Sequence, residues 1–232
     1  MAVKKSKKKN SHDEKIARET AHLMFQIGIV HFRFDPPYIF TTGLKSPIYL
    51  DNRILMSFAK ERKKIVDFYI DIIKKKVGLK KIDCISATAM GAIPLGAWIA
   101  DRLKVPLVYV RARSKAHGKA NKLEGHFKKG YRTLIIEDHI STAKSVLNNA
   151  DTIKQLGGKV SFCVGLSTYE SHISYDNLKK NKIKTYTLTT GKVILEEALK
   201  KKLLDGKEAE SIKEWFIDPE KWAEDQGYND PD

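Results

Sequence analysis

The sequence predicts an α/β fold, a mostly parallel sheet flanked by helices and preceded by an N-terminal flap. Two observations carry this. Leu134, Ile135 and Ile136 form a bulky apolar run without alternating polar partners, as a strand buried on both faces of a parallel sheet requires. Beyond a short polar loop, Val146, Leu147, Ala150, Ile153 and Leu156 recur at helical spacing, and Gly157-Gly158 supplies the stop. Strand-then-helix order repeats from Ile82, and such alternation selects a sheet with helices on both faces.

In chain order, Lys4, Lys5, Lys7, Lys8 and Lys9 lie in a basic stretch, residues 1–12, that is too polar to fold alone. No apolar region follows it, so it does not read as a secretory signal. From Asp13 to Ile27, the positions Ile16, Ala17, Thr20, Leu23, Met24 and Ile27 make an amphipathic helix that stops at Gly28. Tyr38 to Arg53, YIFTTGLKSPIYLDNR, places turns at Gly43 and Pro47 between aromatic and β-branched residues, the pattern of a hairpin-like flap. Phe58 to Val77 is a second helix, with Ile65, Phe68, Tyr69, Ile72 and Ile73 on its apolar face. Residues 13–80 thus form an N-terminal region and residues 81–190 the core.

Within the core, Ile82 to Ser86 reads as a strand, and the small residues from Ala87 to Ala92 permit close backbone approach. Pro94 suits the first turn of a helix running to about Leu103. Leu107 to Val110, Val160 to Leu166 and Thr185 to Leu188 complete the strands. Residues 191–232 supply C-terminal helices packed on the core, Lys192 to Lys202 and Ile212 to Trp222, the latter interrupted at Pro219, with Trp215, Phe216 and Trp222 as packing residues.

The formal charge of +15 asks for an anionic partner, and about +10 remains after the five tail lysines are subtracted. A phosphate-rich substrate, nucleic acid or simple solubility would each account for it. No apolar run approaches the roughly 20 residues of a membrane span, and the expected compartment is cytoplasmic. Cys84 and Cys163 sit in separate apolar runs without metal-ligand spacing, which favours buried reduced thiols.

Chemistry concentrates in TLIIEDHISTAKS, from Thr133 to Ser145. A loop at the carboxyl end of a parallel strand lies in the crevice where open α/β sheets bind ligands, and the helix start behind it offers unpaired N–H groups to an anion. Ser141, Thr142 and Ser145 add hydroxyls, and Glu137 and Asp138 add carboxylates able to accept from ribose hydroxyls. Together they suit a sugar phosphate, although a capped βα junction with no ligand has the same outline. A second stretch is densely cationic. Arg111, Arg113, Lys115, His117, Lys119 and Lys122 precede the first acid, Glu124, with Gly118 and Gly125 loosening the backbone. That describes a lid ordered by an anion, or a solvated basic loop.

Three stretches, in order, carry a resemblance. Apolar residues, two acids, two variable residues and then Ser141-Thr142 resemble the 5-phosphoribosyl 1-diphosphate (PRPP) motif of type I phosphoribosyltransferases. Thr42-Gly43 followed by KSPIY and DNR is similar to the N-terminal signature of orotate phosphoribosyltransferases. RARSKAHGKANKLEG resembles that family's catalytic loop, with Arg111, Lys115, His117 and Gly118 matching position by position. The similarity runs from about Phe25 to Glu224. A purine-specific relative would lack KSPIY and the K-x-HG loop, and a noncatalytic nucleic-acid binder would lack the acidic pair or the loop cations.

The resemblance implies a type I phosphoribosyltransferase fold in which the flap is a hood over the pyrimidine. It implies transfer of a phosphoribosyl group from PRPP to orotate, a step of pyrimidine synthesis. It gives Arg111, Lys115 and His117 catalytic roles. PRPP would be held by these with Arg113, and by Glu137, Asp138, His139, Ile140, Ser141, Thr142, Ala143, Lys144 and Ser145. Orotate would lie near Ser141, Tyr49 and Lys45. Magnesium (Mg2+) is expected on the substrate's oxygens without a dedicated protein cage. A homodimer is implied, its cationic loop reaching the neighbouring subunit, with no membrane and no specific nucleic acid as partner. Some positions depart from the pattern. Ala112 replaces a frequent lysine, whose charge Arg113 can supply; Ala143-Lys144 replace Gly-Gly or Gly-x; Thr41 stands where some members have lysine. Ser167-Thr168-Tyr169-Glu170 lacks the arginine that some members use on orotate, leaving the orotate carboxylate's partner unassigned.

Overall fold

The computed structural model describes residues 2–40, 43–112 and 122–228, with side chains from residue 12 onward. The chain divides into two compact units, one of Met1–Ser57 with Thr189–Asp232 and one of Phe58–Leu188. The division differs from the expected one. The second helix belongs with the sheet, and the C-terminal helices group with the N-terminal segment.

The first unit opens with α1 (Ala2–Gln26). This helix includes the lysine-rich stretch expected to stay unfolded; lysine is a good helix former, so a helix nucleated by the apolar residues beyond Asp13 can propagate toward the N-terminus. Two short antiparallel pairs follow. β1 (Val30–Phe32) pairs with β4 (Ile48–Leu50), and between them β2 (Tyr38–Ile39) pairs with β3 (Lys45–Ser46), so the hairpin-like flap is present.

The second unit holds α2 (Ala59–Ile72), β5 (Cys84–Thr88), α3 (Ala92–Leu103), β6 (Leu107–Val110), β7 (Leu123–Glu124), β8 (Arg132–Ile140), α4 (Lys144–Gln155), β9 (Lys159–Thr168) and α5 (His172–Lys180). β10 (Lys184–Thr190) completes a six-stranded sheet of order β10-β9-β8-β5-β6-β7. β5 pairs in parallel with β6 and β8, β8 pairs in parallel with β9, and the two-residue β7 is antiparallel to β6. Strand alternation fixes which helix covers which face. A Cβ at Gly96 of α3 would lie 2.7 Å from the Ala87 Cβ, so α3 covers the face of Ala87. Ser86 and Thr88 point the other way, and both bond to Asn149 of α4, at 2.7 and 3.0 Å. This satisfied polar network is fully interior, and Cys84 and Cys163 are buried and unpaired in the same core.

The sequence placed the central strand at Leu134 to Ile136, and the structure carries it on to Ile140. The reason is the partner strand: Glu137 pairs with Gly165, His139 with Ser167 and Ile140 with Thr168, so the ladder continues beneath polar side chains. α5 was not foreseen, because its buried residues are only Ser174 and Leu178, too few for a periodic signal; Ser171 caps it by accepting from the Ser174 N–H at 3.3 Å.

The first unit closes with α6 (Gly191–Lys200), α7 (Gly206–Ile217) and α8 (Pro219–Asp225). Asp205 and Glu208 form a reciprocal capping box at the start of α7, and Asp218 caps α8 ahead of Pro219. Trp215 and Trp222 are buried, as expected of packing residues. Among the described residues no helix is long and apolar enough to cross a membrane.

Candidate active site at the carboxyl end of the central strand

β8 brings the acidic pair to the end of the sheet, where its period of two sets the two residues on opposite faces while their carboxyls stay close enough to interact. Glu137 faces α4. Its carboxyl is buried and accepts from the Ser145 hydroxyl at 2.8 Å and from the Asp138 N–H at 3.2 Å. Tyr69 of α2 donates to the Glu137 carbonyl at 2.8 Å. Burial, and next the charge of Asp138, push the Glu137 carboxyl well above the usual carboxylate range. Asp138 is half-buried on the other face, beside the start of α3. A Cβ at Gly91 would lie 2.2 Å from Asp138 Oδ2, so only glycine leaves room for that carboxylate.

Residues 141–143 connect β8 to α4, and their carbonyls are taken up by α5 and its cap. Ser171 Oγ donates to the Ser141 carbonyl at 2.8 Å and Asn177 Nδ2 to the Thr142 carbonyl at 2.9 Å. Ala143 sits at φ 64°, the left-handed region, at a cost of roughly 1–2 kcal/mol for a residue with a Cβ. The turn is therefore made at the position where the resemblance expects glycine, by a buried alanine. Lys144 and Ser145 are exposed in the first turn of α4, whose leading N–H groups have no partner within the helix. Tyr69, Ser171 and Asn177 support this loop without having been singled out in the sequence. Only Ser171, three residues before Ser174 at a helix start, left a capping signal.

His139 pairs through Nδ1 with Ser167 Oγ at 2.9 Å, and its ring packs edge-on against Tyr169 with centroids 4.2 Å apart. Nε2 is buried without a hydrogen-bond partner among the described residues. Burial pushes its pKa down to about 4, so it is neutral around pH 7. Ile140 is buried in the core.

The cationic loop is described at its two roots. Arg111 Nε lies 3.3 Å from Glu124 Oε1, its N–H donates to the Lys122 carbonyl at 2.9 Å, and Lys122 Nζ donates to Asn148 of α4 at 2.9 Å. Arg113, Lys115, His117 and Lys119 lie outside the described residues, as do Thr41 and Thr42.

In the first unit, the flap surrounds Tyr49 with aromatic rings: Tyr38 at 5.5 Å, Phe40 at 6.4 Å and His31 at 6.4 Å between centroids. Arg53, held on Asp51 at 2.7 Å, donates to the Tyr49 hydroxyl at 3.1 Å. Lys45, expected beside the base, donates to the Tyr228 carbonyl at 2.5 Å, while its own carbonyl accepts from Trp215 Nε1 at 2.8 Å. Those bonds follow from α7 and α8 grouping with the flap, which the sequence reading did not anticipate.

Residues 59–201 match the phosphoribosyl transferase domain family. The orotate phosphoribosyltransferase of Coxiella burnetii is 37% identical over 206 residues, covering 89% of this chain and 98% of the relative. That of Listeria monocytogenes is 36% identical over 208 residues, covering 90% and 99%. Among solved structures, orotate phosphoribosyltransferase from Aeropyrum pernix has the same fold, with a TM-score of 0.68 at 24% identity over 76% of this chain and 96% of that one.

Two expectations test the geometry. Gly91→Ala should push the Asp138 carboxylate aside and lower kcat/KM for PRPP by roughly a hundredfold, with little change in Tm; wild-type kinetics would show that the close approach is unimportant. The second concerns acid stability. His139 has an ordinary pKa near 6.5 when unfolded and about 4 when folded, so the unfolded state binds the extra proton between those values. Stability should therefore fall as pH drops from about 6.5 to 4, and His139→Gln should flatten that slope relative to wild type in denaturant titrations. Parallel slopes for the two proteins would contradict the assignment.

Proposed function

The chain belongs to the orotate phosphoribosyltransferase family, and on that premise we propose that it transfers the phosphoribosyl group of PRPP to orotate, giving orotidine 5′-monophosphate and diphosphate. The observation that carries this reading is the meeting, at one end of β8, of a half-buried carboxylate with the open N-terminus of a helix. The first suits ribose hydroxyls and the second suits a 5′-phosphate.

As the C1–O bond breaks, positive charge develops on the ribose and negative charge on the departing diphosphate, and catalysis consists of stabilising both. Asp138 accepts from the ribose hydroxyls and lies close to the cationic sugar. Glu137, buried and bonded to Ser145, holds the turn in shape. The N–H groups and side chains from Ser141 to Ser145 bind the 5′-phosphate, with Lys144 adding charge. Arg111, Arg113, Lys115 and His117 take up the leaving diphosphate and exclude water that would otherwise capture the sugar cation. Ser141 lies toward the pyrimidine, and Lys45 acts within its own unit by anchoring the flap.

Among the described residues no cluster of three or more His, Cys, Asp or Glu could cage a metal ion. Magnesium carried by the substrate needs only one or two carboxylates, and Asp138 fits that requirement. When bound it would neutralise the diphosphate's charge. The working unit in this reading is a homodimer in which the cationic loop serves the neighbouring site, a proposal supported by the similarity of residues 111–125 to the family's loop.

The test is loss of orotate absorbance with PRPP and magnesium, beside adenine, hypoxanthine and uracil as acceptors. Orotate alone should be consumed, and Lys115→Ala should lower kcat sharply. Turnover of a purine in preference to orotate would overturn the specificity, and an unchanged kcat would remove Lys115 from the mechanism.

A further inference from the structure

α4 carries more than the phosphate turn. Ser145 and Asn148, three residues apart, are neighbours on one helix face. Ser145 bonds to Glu137 at 2.8 Å, while Asn148 meets both roots of the cationic loop. Its Oδ1 accepts from Lys122 Nζ at 2.9 Å, and its Nδ2 donates to the Arg111 carbonyl in a longer contact of 3.4 Å. The amide orientation is fixed by chemistry, because an ammonium only donates and a carbonyl only accepts. The roots are also joined to each other, by the Arg111 N–H to the Lys122 carbonyl at 2.9 Å and by pairing of Val110 with Leu123.

We propose that Asn148 is a positioning residue that locks the roots of the cationic loop, Arg111 and Lys122, to the helix that presents the phosphate-binding turn. The proposal rests on the reading of the site given above. The partner's neutrality is part of the device. A carboxylate at 148 would hold Lys122 more strongly but cancel its charge, whereas an amide orients the ammonium and leaves its field intact at a site built for a diphosphate. The amide also engages the backbone of Arg111, which a carboxylate cannot do because both groups would be acceptors. Neighbouring Asn149 performs the structural task, bonding Ser86 and Thr88 in the interior, which leaves half-buried Asn148 free of it.

The experiment compares the full-length wild type with Asn148→Leu, Asn148→Asp and Asn148→Gln. Steady-state kinetics are run with PRPP and orotate varied separately, alongside calorimetric titration with magnesium diphosphate and measurement of Tm. Asn148→Leu should weaken diphosphate binding and lower kcat/KM for PRPP by roughly tenfold, the loss of one or two hydrogen bonds, while KM for orotate and Tm stay near wild type. Asn148→Asp should also lose diphosphate affinity despite an equal or higher Tm, and Asn148→Gln should recover part of it. Wild-type diphosphate affinity in the leucine and aspartate variants would overturn the proposal, as would losses that merely follow Tm. If wild-type protein fails to couple PRPP to orotate, the functional reading falls, and the diphosphate titrations still decide the role of Asn148.

Discussion

The parallel pairing of β8 with β9 is the constraint on which the site depends. It keeps β8 extended through Ile140, and an extended strand must send successive side chains to opposite faces. Glu137 and Asp138 are therefore neighbours in sequence with different surroundings. One is buried and bonded to α4; the other is half-buried at the edge of α3, where Gly91 leaves room for it. The two still feel each other, since the charge of Asp138 adds to burial in raising the Glu137 carboxyl. On the strand they keep different neighbours, Ser145 of α4 for Glu137 and Gly91 at the start of α3 for Asp138.

The turn after the strand follows the same logic of satisfied groups. Its carbonyls are taken by Ser171 and Asn177, its shape is held by Glu137 through Ser145, and its bend falls on Ala143. A backbone whose acceptors are already engaged is pre-organised, which lowers the entropy lost when an anion meets the helix start. The left-handed alanine costs stability at a place where the surrounding bonds over-determine the conformation.

Much of this was legible in the sequence because buried strands and amphipathic helices announce themselves by period. The apolar run at Leu134 to Ile136 located the centre of the sheet, and the βα order gave the layers. The features that escaped depend on partners distant in the chain. The extension of β8 rests on β9, α5 has two buried residues, and the bond from Tyr69 to the Glu137 carbonyl spans 68 positions. Lys45 is similar, since nothing local indicates that its amine meets Tyr228 near the other end of the chain. The sequence does not show that the acidic pair consists of two differently placed groups, because the strand extends past its apolar run only through pairing with β9.

The claim that the strand's period divides the work of the two acids can be tested directly by measuring PRPP affinity in Asp138→Asn and Glu137→Gln proteins. A buried Glu137 whose carboxyl is shifted toward the protonated form should tolerate the amide and keep affinity near wild type, whereas Asp138→Asn should weaken PRPP by roughly tenfold or more through loss of charge-assisted bonds to the ribose. Equal losses in both proteins, or a larger loss in Glu137→Gln, would contradict the account.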